Sequence, residues 1–202
     1  MTQTKPTIAK RPDSERIILG IDPGTNEMGY GVICIRSSPS HSSVITLMQY
    51  GIIHLRKYAN YQTKLQKIFD RIVSLIDEYH PDEMALEAPF YSKNVQSMLK
   101  LGRAQGVAMA AALSRQIPVT EYAPRKVKQS VTGNGNASKE QVSKMLGSLL
   151  DTNNPLLQAN QLNDATDALA VALCHHYQKS SPIRHNKSWK AFVADNPERV
   201  KS

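Results

Sequence analysis

Runs of apolar residues bounded by turn-forming residues predict five β-strands along the chain. They cover 16–22, 29–35, 44–55, 83–88 and 117–122. A Gly-rich turn separates the first two runs, and a Ser/Pro cluster separates the second from the third. Connections this short suit antiparallel neighbours. The first three strands are therefore predicted to form a meander.

Apolar residues at three- and four-residue spacing predict helices after the meander. The predicted helices cover 61–79, 94–115, 124–131, 138–150 and 164–177, the fourth with Ser138 as its N-cap. The helix at 94–115 is rich in Ala and Gly, which allow close approach to a sheet or to another helix. Core packing is the default interpretation of these small residues, and a dimer interface is the alternative.

The order of the predicted elements indicates the fold class and the domain boundaries. Strands first, then strands alternating with helices, favour an α/β fold with one mixed sheet flanked by helices. Residues 1–15 are polar and lack periodicity, which predicts a disordered extension. The folded domain is predicted at 16–178 and a basic tail at 179–202. The tail contains the single Trp, and its segment 188–193 could dock on the domain or on a partner.

Composition narrows the class of protein further. The chain has 202 residues, of which 41% are hydrophobic and 21% charged, as is usual for a globular protein. The sequence lacks an apolar run near the roughly 20 residues of a membrane span and an apolar N-terminal signal, which predicts a cytoplasmic protein. Cys34 and Cys174 are expected to be reduced spectators. The net charge of +8 favours a polyanionic partner such as nucleic acid.

Four acidic residues occupy positions where an acid with only a structural role is unusual. Asp22 ends one apolar strand and Glu87 ends another, while Asp164 and Asp167 lie three residues apart at the start of an apolar helix. Asp22 could instead close the Pro-Gly turn that follows it, and the Asp pair could cap the helix. If all four converge, however, their carboxylates repel one another unless a divalent cation neutralises them. Mg²⁺ and Mn²⁺ prefer such oxygen ligands, and two-metal phosphoryl transfer uses such clusters.

Other candidate motifs are weaker. The pair His175-His176 lacks metal-ligand partners at suitable spacing and is interpreted as histidines at a helix end. Gly133-Asn134-Gly135 does not complete a phosphate-binding P-loop, and a Gly-x-Ser-x-Gly elbow is absent from the sequence.

Eight short blocks of the sequence resemble the RuvC family of bacterial Holliday junction resolvases. They occur in order between residues 16 and 177, at 18–25, 29–31, 86–90, 93–94, 101–106, 121–124, 126–129 and 164–170. The resemblance implies a ribonuclease H-like fold, a homodimer, and two Mg²⁺ ions per active site, with Mn²⁺ as a substitute. It also implies paired, symmetric nicks in four-way DNA junctions that leave 5′-phosphate and 3′-hydroxyl ends. The RuvA–RuvB branch-migration complex is the implied partner.

The resemblance also implies roles for individual residues. Asp22, Glu87, Asp164 and Asp167 correspond to the metal-binding catalytic acids, and Lys128 and Lys139 to basic residues near the scissile phosphate. Phe90 matches an aromatic residue that stacks on bases at the opened junction. The remaining expected DNA contacts are Tyr91, Lys93, Asn94, Arg125 and Asn134, the last in a loop at 133–136 that is expected to be mobile and to approach the DNA.

Two other functions remain as alternatives. An actin-like ATPase or sugar kinase also has a phosphate loop that resembles Asp-x-Gly-Thr, but it needs a second such loop that this sequence lacks. A scaffold that binds junctions without cutting them would use the acids only for capping and folding. Related nucleases that act on RNA or on other branched DNA share the fold.

Overall fold

The computed structural model describes residues 15–37, 43–89, 94–150 and 163–180. Its five-stranded sheet has the order β3-β2-β1-β4-β5. The strands are β1 Glu15–Asp22, β2 Glu27–Arg36, β3 Val44–His54, β4 Glu83–Glu87 and β5 Val119–Tyr122. The first three form an antiparallel meander, while β4 is parallel to β1 and β5 is parallel to β4. The predicted mixed sheet is therefore confirmed.

The helices that the structure describes also match the prediction closely. They are α1 Tyr61–Tyr79, α2 Val95–Leu113, α3 Pro124–Thr132, α4 Lys139–Leu149 and α5 Asn163–Ser180. Ser138 caps α4 as predicted, with a reciprocal bond between the Gln141 side chain and the Ser138 backbone. Helix α5 extends three residues beyond its predicted end at 177. The extra turn carries Lys179, which bonds to Glu83 at the start of β4.

Hydrophobic cores cover both faces of the sheet. Along β1, Ile17, Leu19 and Ile21 pack with α1 and α2, whereas Ile18 lies in the second core with α3, α4 and α5. Alternate strand residues point to opposite faces, so covering both faces buries β1 almost completely. Cys34 and Cys174 are buried and unbridged, as expected.

Glycines on β1 and β2 allow α5 to lie unusually close to the sheet. A Cβ added at Gly20 would lie 2.1 Å from the backbone oxygen of Ala168, and one at Gly29 would lie 1.8 Å from that of Asp164. Both distances are far inside van der Waals contact. Because these glycines have no side chains, the N-terminal turn of α5 reaches the end of β1, where Asp22 lies.

The small residues of α2 occupy two faces of the helix. Ala104, Ala108, Ala111 and Ala112 are buried in the core with α1. Gly102 and Gly106 lie on the exposed face, and a Cβ added at either would have open space around it. The predicted core packing is confirmed for the alanines, and a second set of small residues remains on the surface.

Some predictions fall on residues that the structure does not describe. These are the N-terminal extension apart from Glu15, the tail apart from Lys179 and Ser180, and the segment 90–93. Among the described residues, no helix combines the length and the apolar character needed to cross a membrane.

Candidate active site

Three aspartates meet where β1 ends and α5 begins. Asp22, Asp164 and Asp167 each contribute a carboxylate oxygen, and these oxygens all lie within 4.8 Å of one another. Asp22 is the last residue of β1, while Asp164 and Asp167 lie one helical turn apart at the start of α5. All three are half-buried. The predicted convergence of these acids is therefore confirmed.

Glu87 completes the cluster from the neighbouring strand. Since β4 runs parallel to β1 with Ile21 opposite Leu86, both strands deliver their next residue, Asp22 or Glu87, at the same edge of the sheet. The carboxyl groups of Asp22 and Glu87 lie close enough for each to shift the pKa of the other. Two carboxylates this close repel each other when both are ionised.

Burial and like charges perturb the acids strongly. Burial raises the pKa of Asp22 to about 8, and the charges of Glu87, Asp167 and Asp164 contribute in the same direction. Burial also raises the pKa of Glu87, followed by the charge of Asp167. The pKa of Asp164 is raised by burial as well. The cluster therefore contains more negative charge than the protein itself compensates.

Two lysines supply the positive charge that faces the cluster. The Nζ of Lys139, the first residue of α4, lies 2.6 Å from Asp167 Oδ2. Burial alone would lower the pKa of Lys139, but the hydrogen bond and the charge of Asp167 outweigh it and raise that pKa. The charges of Lys139 and Lys128 oppose the raised pKa of Glu87. Both lysines expected near the scissile phosphate thus act on the acids.

The donor set fits a divalent cation. Three carboxylate oxygens within 4.8 Å of one another, with a fourth carboxylate beside them, are the hard ligands that Mg²⁺, Mn²⁺ and Ca²⁺ take. A cation would favour the ionised form of Asp22, whose pKa is otherwise raised to about 8. The alternative interpretations of Asp22 as a turn residue and of the Asp pair as helix caps do not account for the fourth acid.

The residues expected to contact DNA lie in different settings. The side chain of Asn94 caps α2 by accepting a hydrogen bond of 3.0 Å from Ser97 N. Asn134 is exposed, and its Oδ1 accepts a bond of 3.0 Å from Asn136 N, which shapes the loop after α3. Arg125 packs against this loop at Gly135. Phe90, Tyr91 and Lys93 lie outside the described residues.

His175 and His176 lie near the C-terminal end of α5, as predicted, and both take part in a buried polar network. His175 and His176 are only 1% and 5% exposed. His175 bonds to Glu83 Oε2 at 2.7 Å through Nε2 and to the Tyr122 hydroxyl at 2.8 Å through Nδ1. His176 Nδ1 lies 3.1 Å from an Arg16 guanidinium nitrogen. Local spacing could not reveal these partners, because they lie more than 50 residues away in the sequence.

The sequence-based interpretation also missed residues that shape the site. Gly20 and Gly29 admit α5 to the end of β1. Lys64 donates to Thr25 O and Asn26 Oδ1, both at 3.2 Å, and so holds the turn that follows Asp22. A glycine within a buried strand is a signal of close backbone approach and could have identified the first two. We find no local signal in the sequence for Lys64.

Comparisons with known proteins identify the family of this chain. The profile of a family described as Crossover junction endodeoxyribonuclease RuvC matches residues 18–175. A protein of that name from Cytophaga hutchinsonii is 57% identical over 188 residues, which cover 93% of this chain and 90% of that protein. Its namesake from Porphyromonas gingivalis is 55% identical over 192 residues, covering 93% and 98% of the two chains. The structure of Thermus thermophilus RuvC in complex with Holliday junction substrate matches with a TM-score of 0.72 at 27% identity, covering 81% of this chain and 94% of that one.

Proposed function

The chain belongs to the RuvC family of crossover junction endodeoxyribonucleases, and we propose that it resolves four-way DNA junctions at the acidic cluster. The observation that carries this proposal is the convergence of Asp22, Asp164 and Asp167, with Glu87 beside them, at one edge of the sheet. A cluster of carboxylates can serve the hydrolysis of a phosphodiester, which is itself negatively charged, only by holding divalent cations.

The four acids hold the divalent cation that the family uses. When bound, the cation stabilises the negative charge that develops on the phosphate oxygens during hydrolysis. Asp22 and Glu87 are fixed by the strands, and Asp164 and Asp167 by α5, so the ligands are preorganised by rigid elements. We assign Mg²⁺, with Mn²⁺ as a substitute, and two ions per site. The products are nicks with 5′-phosphate and 3′-hydroxyl ends.

Basic and aromatic residues are the DNA contacts of this proposal. Lys139 and Lys128 present positive charge to the cluster and are placed to attract the scissile phosphate. Arg125, in the first turn of α3, packs against the loop that carries Asn134, and both side chains contact the DNA backbone. Phe90, with Tyr91, Lys93 and Asn94, contacts the opened centre of the junction, where Phe90 stacks on a base.

The exposed face of α2 supports a homodimer. Val95, Leu99 and Leu113 are 66%, 50% and 59% exposed and lie on the same face as Gly102 and Gly106. An apolar stripe with glycines at its centre allows two helices to pack closely. A two-fold dimer supplies two active sites for symmetric nicks on opposed strands.

The RuvA–RuvB complex is the further partner, and the bacterial cytoplasm is the compartment that contains this DNA.

Matched glycine variants test the dimer. Neither Gly106 on α2 nor Gly147 on α4 has an atom within 4 Å of an added Cβ, so Gln at either position fits the monomer. We expect Gly106→Gln to convert the dimer to monomer in sedimentation velocity runs and Gly147→Gln to leave it intact. A dimer that persists in Gly106→Gln would place the interface elsewhere.

Cleavage of a labelled mobile four-way junction tests the activity. The wild type should make paired, symmetric nicks in the junction with Mg²⁺, and should leave linear duplex intact. EDTA and the substitution Asp22→Asn should each abolish the nicks, while the variant still binds the junction. Binding without nicks under every metal tried would instead make the acids structural and support the scaffold alternative.

A further inference from the structure

A cavity of about 340 Å³ lies beside the turn that follows Asp22. That turn forms one wall, and the first turns of α1 and α2 form the others. The polar residues that line the cavity are Thr25, Asn26, Tyr61, Lys64, Ser97 and Lys100. None of these residues carries a carboxylate, so the cavity has the opposite charge from the acidic cluster nearby.

Two lysines give the cavity its charge. Lys64 uses its ammonium group to bond Thr25 O and Asn26 Oδ1, both at 3.2 Å, and a third N–H remains for another acceptor. Within the described part of the chain, neither Lys64 nor Lys100 forms an ion pair. By contrast, Lys67, farther along α1, lies 3.7 Å from Asp70. The positive charge at the cavity is thus available to an external anion.

The walls of the cavity add donors and are tied together. The Tyr61 hydroxyl on α1 donates a hydrogen bond of 2.5 Å to Lys100 O on α2, which fixes one helix against the other. Neither helix has an acid in its first turn, so nothing there offsets the lysines. The hydroxyls of Thr25 and Ser97 are small donors at the rim, of the kind that bind phosphate oxygens.

Resting on the proposed junction cleavage, we propose that this cavity binds a backbone phosphate of the strand being cut. Thr25 follows Asp22 by three residues, so their Cα atoms are at most about 11 Å apart. The bound phosphate therefore lies within a few nucleotides of the scissile one. Contacts to phosphate fix the position of a strand without reading its sequence. Lys64 connects this contact to the turn that presents Asp22.

The variant Lys100→Gln tests the contact with little risk to the fold, because only the backbone oxygen of Lys100 bonds to Tyr61. Junction binding is measured in EDTA over a range of salt concentrations. We expect Lys100→Gln to weaken binding about 3- to 10-fold and to reduce the slope of log affinity against log salt by about 1. The matched control Lys67→Gln removes a lysine charge outside the cavity. It should change the affinity less than about 2-fold, because salt screens exposed charges that are far from the bound phosphate.

A thermodynamic cycle identifies the phosphate itself. Junctions are made with a single neutral methylphosphonate at each of the four linkages on either side of the scissile phosphate. At one of these positions, the neutral linkage should weaken binding of the wild type and of Lys67→Gln. It should cause no further loss in Lys100→Gln, because the partner charge is already gone.

The possible outcomes are separable. If the loss of junction affinity caused by Lys100→Gln simply adds to the loss caused by every neutral linkage, the proposal is overturned. Inorganic phosphate has the same chemistry, so titration with phosphate alone is followed by NMR at the amides of Thr25 and Ser97. Saturable shifts of these amides, together with no coupling between Lys100→Gln and any neutral linkage, would mean that the cavity binds free phosphate. That result would also overturn the proposal. A wild type that binds junctions but never cuts them would refute the proposed function, while the cycle would still report on the phosphate contact.

Discussion

The two ends of α5 carry polar clusters of opposite character, although the same three elements build both. At its N-terminal end, Asp164 and Asp167 meet the ends of β1 and β4 at Asp22 and Glu87. At its C-terminal end, His175, His176 and Lys179 meet the starts of the same strands at Arg16 and Glu83. The helix runs antiparallel to both strands, which places one cluster at each edge of the sheet.

The difference lies in how each cluster balances its charge. Glu83 is 13% exposed and accepts hydrogen bonds from His175 and Lys179. Burial alone would raise its pKa, but these bonds outweigh burial and lower it. At the other end, burial and neighbouring acids together raise the pKa of Asp22 to about 8. A cluster whose charges compensate one another stabilises the fold, and one that leaves like charges together requires a ligand from outside.

Two glutamates on β4 test this contrast most sharply. Glu83 and Glu87 begin and end the same strand, and both are half-buried. We expect Glu87→Gln to lower junction cleavage by about 10³-fold, the range for loss of a group that acts on the reacting phosphate. Single-turnover cleavage with Mg²⁺ measures this, and junction binding serves as the control. If Glu87→Gln cleaves junctions as fast as the wild type, Glu87 is not a catalytic residue.

Loss of Lys139 should have a smaller effect on the same reaction. Its Nζ lies 2.6 Å from Asp167 Oδ2 and opposes the raised pKa of Glu87. We expect Lys139→Met to slow cleavage by about 10- to 100-fold, because a positive charge near the reacting phosphate is lost while the acids remain. Lys144, on the same helix and without a described acidic partner, provides the matched control as Lys144→Met. Equal losses in both variants would indicate a general effect of charge on DNA binding.

The fold and most of the site were predictable because their signals are local. The apolar runs and the three- and four-residue periodicity placed the strands and helices, and Asp22, Glu87 and the Asp pair stood out at the ends of apolar segments. Pairings over long sequence separations were not predictable. Glu83 and His175 are 92 residues apart and contact only because α5 crosses β4. The close approach at Gly29 likewise depends on the packing of α5, which no local pattern specifies.

The compensated cluster predicts a stability effect without a catalytic one. Glu83→Gln removes the negative charge between His175 and Lys179, so we expect the free energy of unfolding to fall by about 2 kcal/mol. Urea denaturation measures this change, and cleavage at a temperature well below the unfolding midpoint should stay within about 2-fold of the wild type, since the cluster lies at the far edge of the sheet. Glu87→Gln is the control and should be at least as stable as the wild type without metal. Loss of cleavage by folded Glu83→Gln would contradict the separation of the two clusters.

The two clusters should also respond to pH in opposite directions when metal is removed. The folded pKa of Asp22, about 8, exceeds its ordinary value of 3.8, so its contribution to stability is complete below pH 3.8 and is lost as the pH rises through about 8. Burial lowers the pKa of His175 and of His176 below 6.5, so their contribution is complete above that pH and is lost as the pH falls. In EDTA, the wild type should therefore lose about 2 kcal/mol between pH 6 and pH 8 from Asp22 alone, or roughly 4–8 °C in unfolding midpoint. In Asp22→Asn, the loss of stability at alkaline pH should be smaller than in the wild type, and the loss at acid pH should be unchanged. Mg²⁺ should reduce the alkaline loss in the wild type and have no further effect on the variant. An alkaline loss of equal size in Asp22→Asn would place its source outside the acidic cluster.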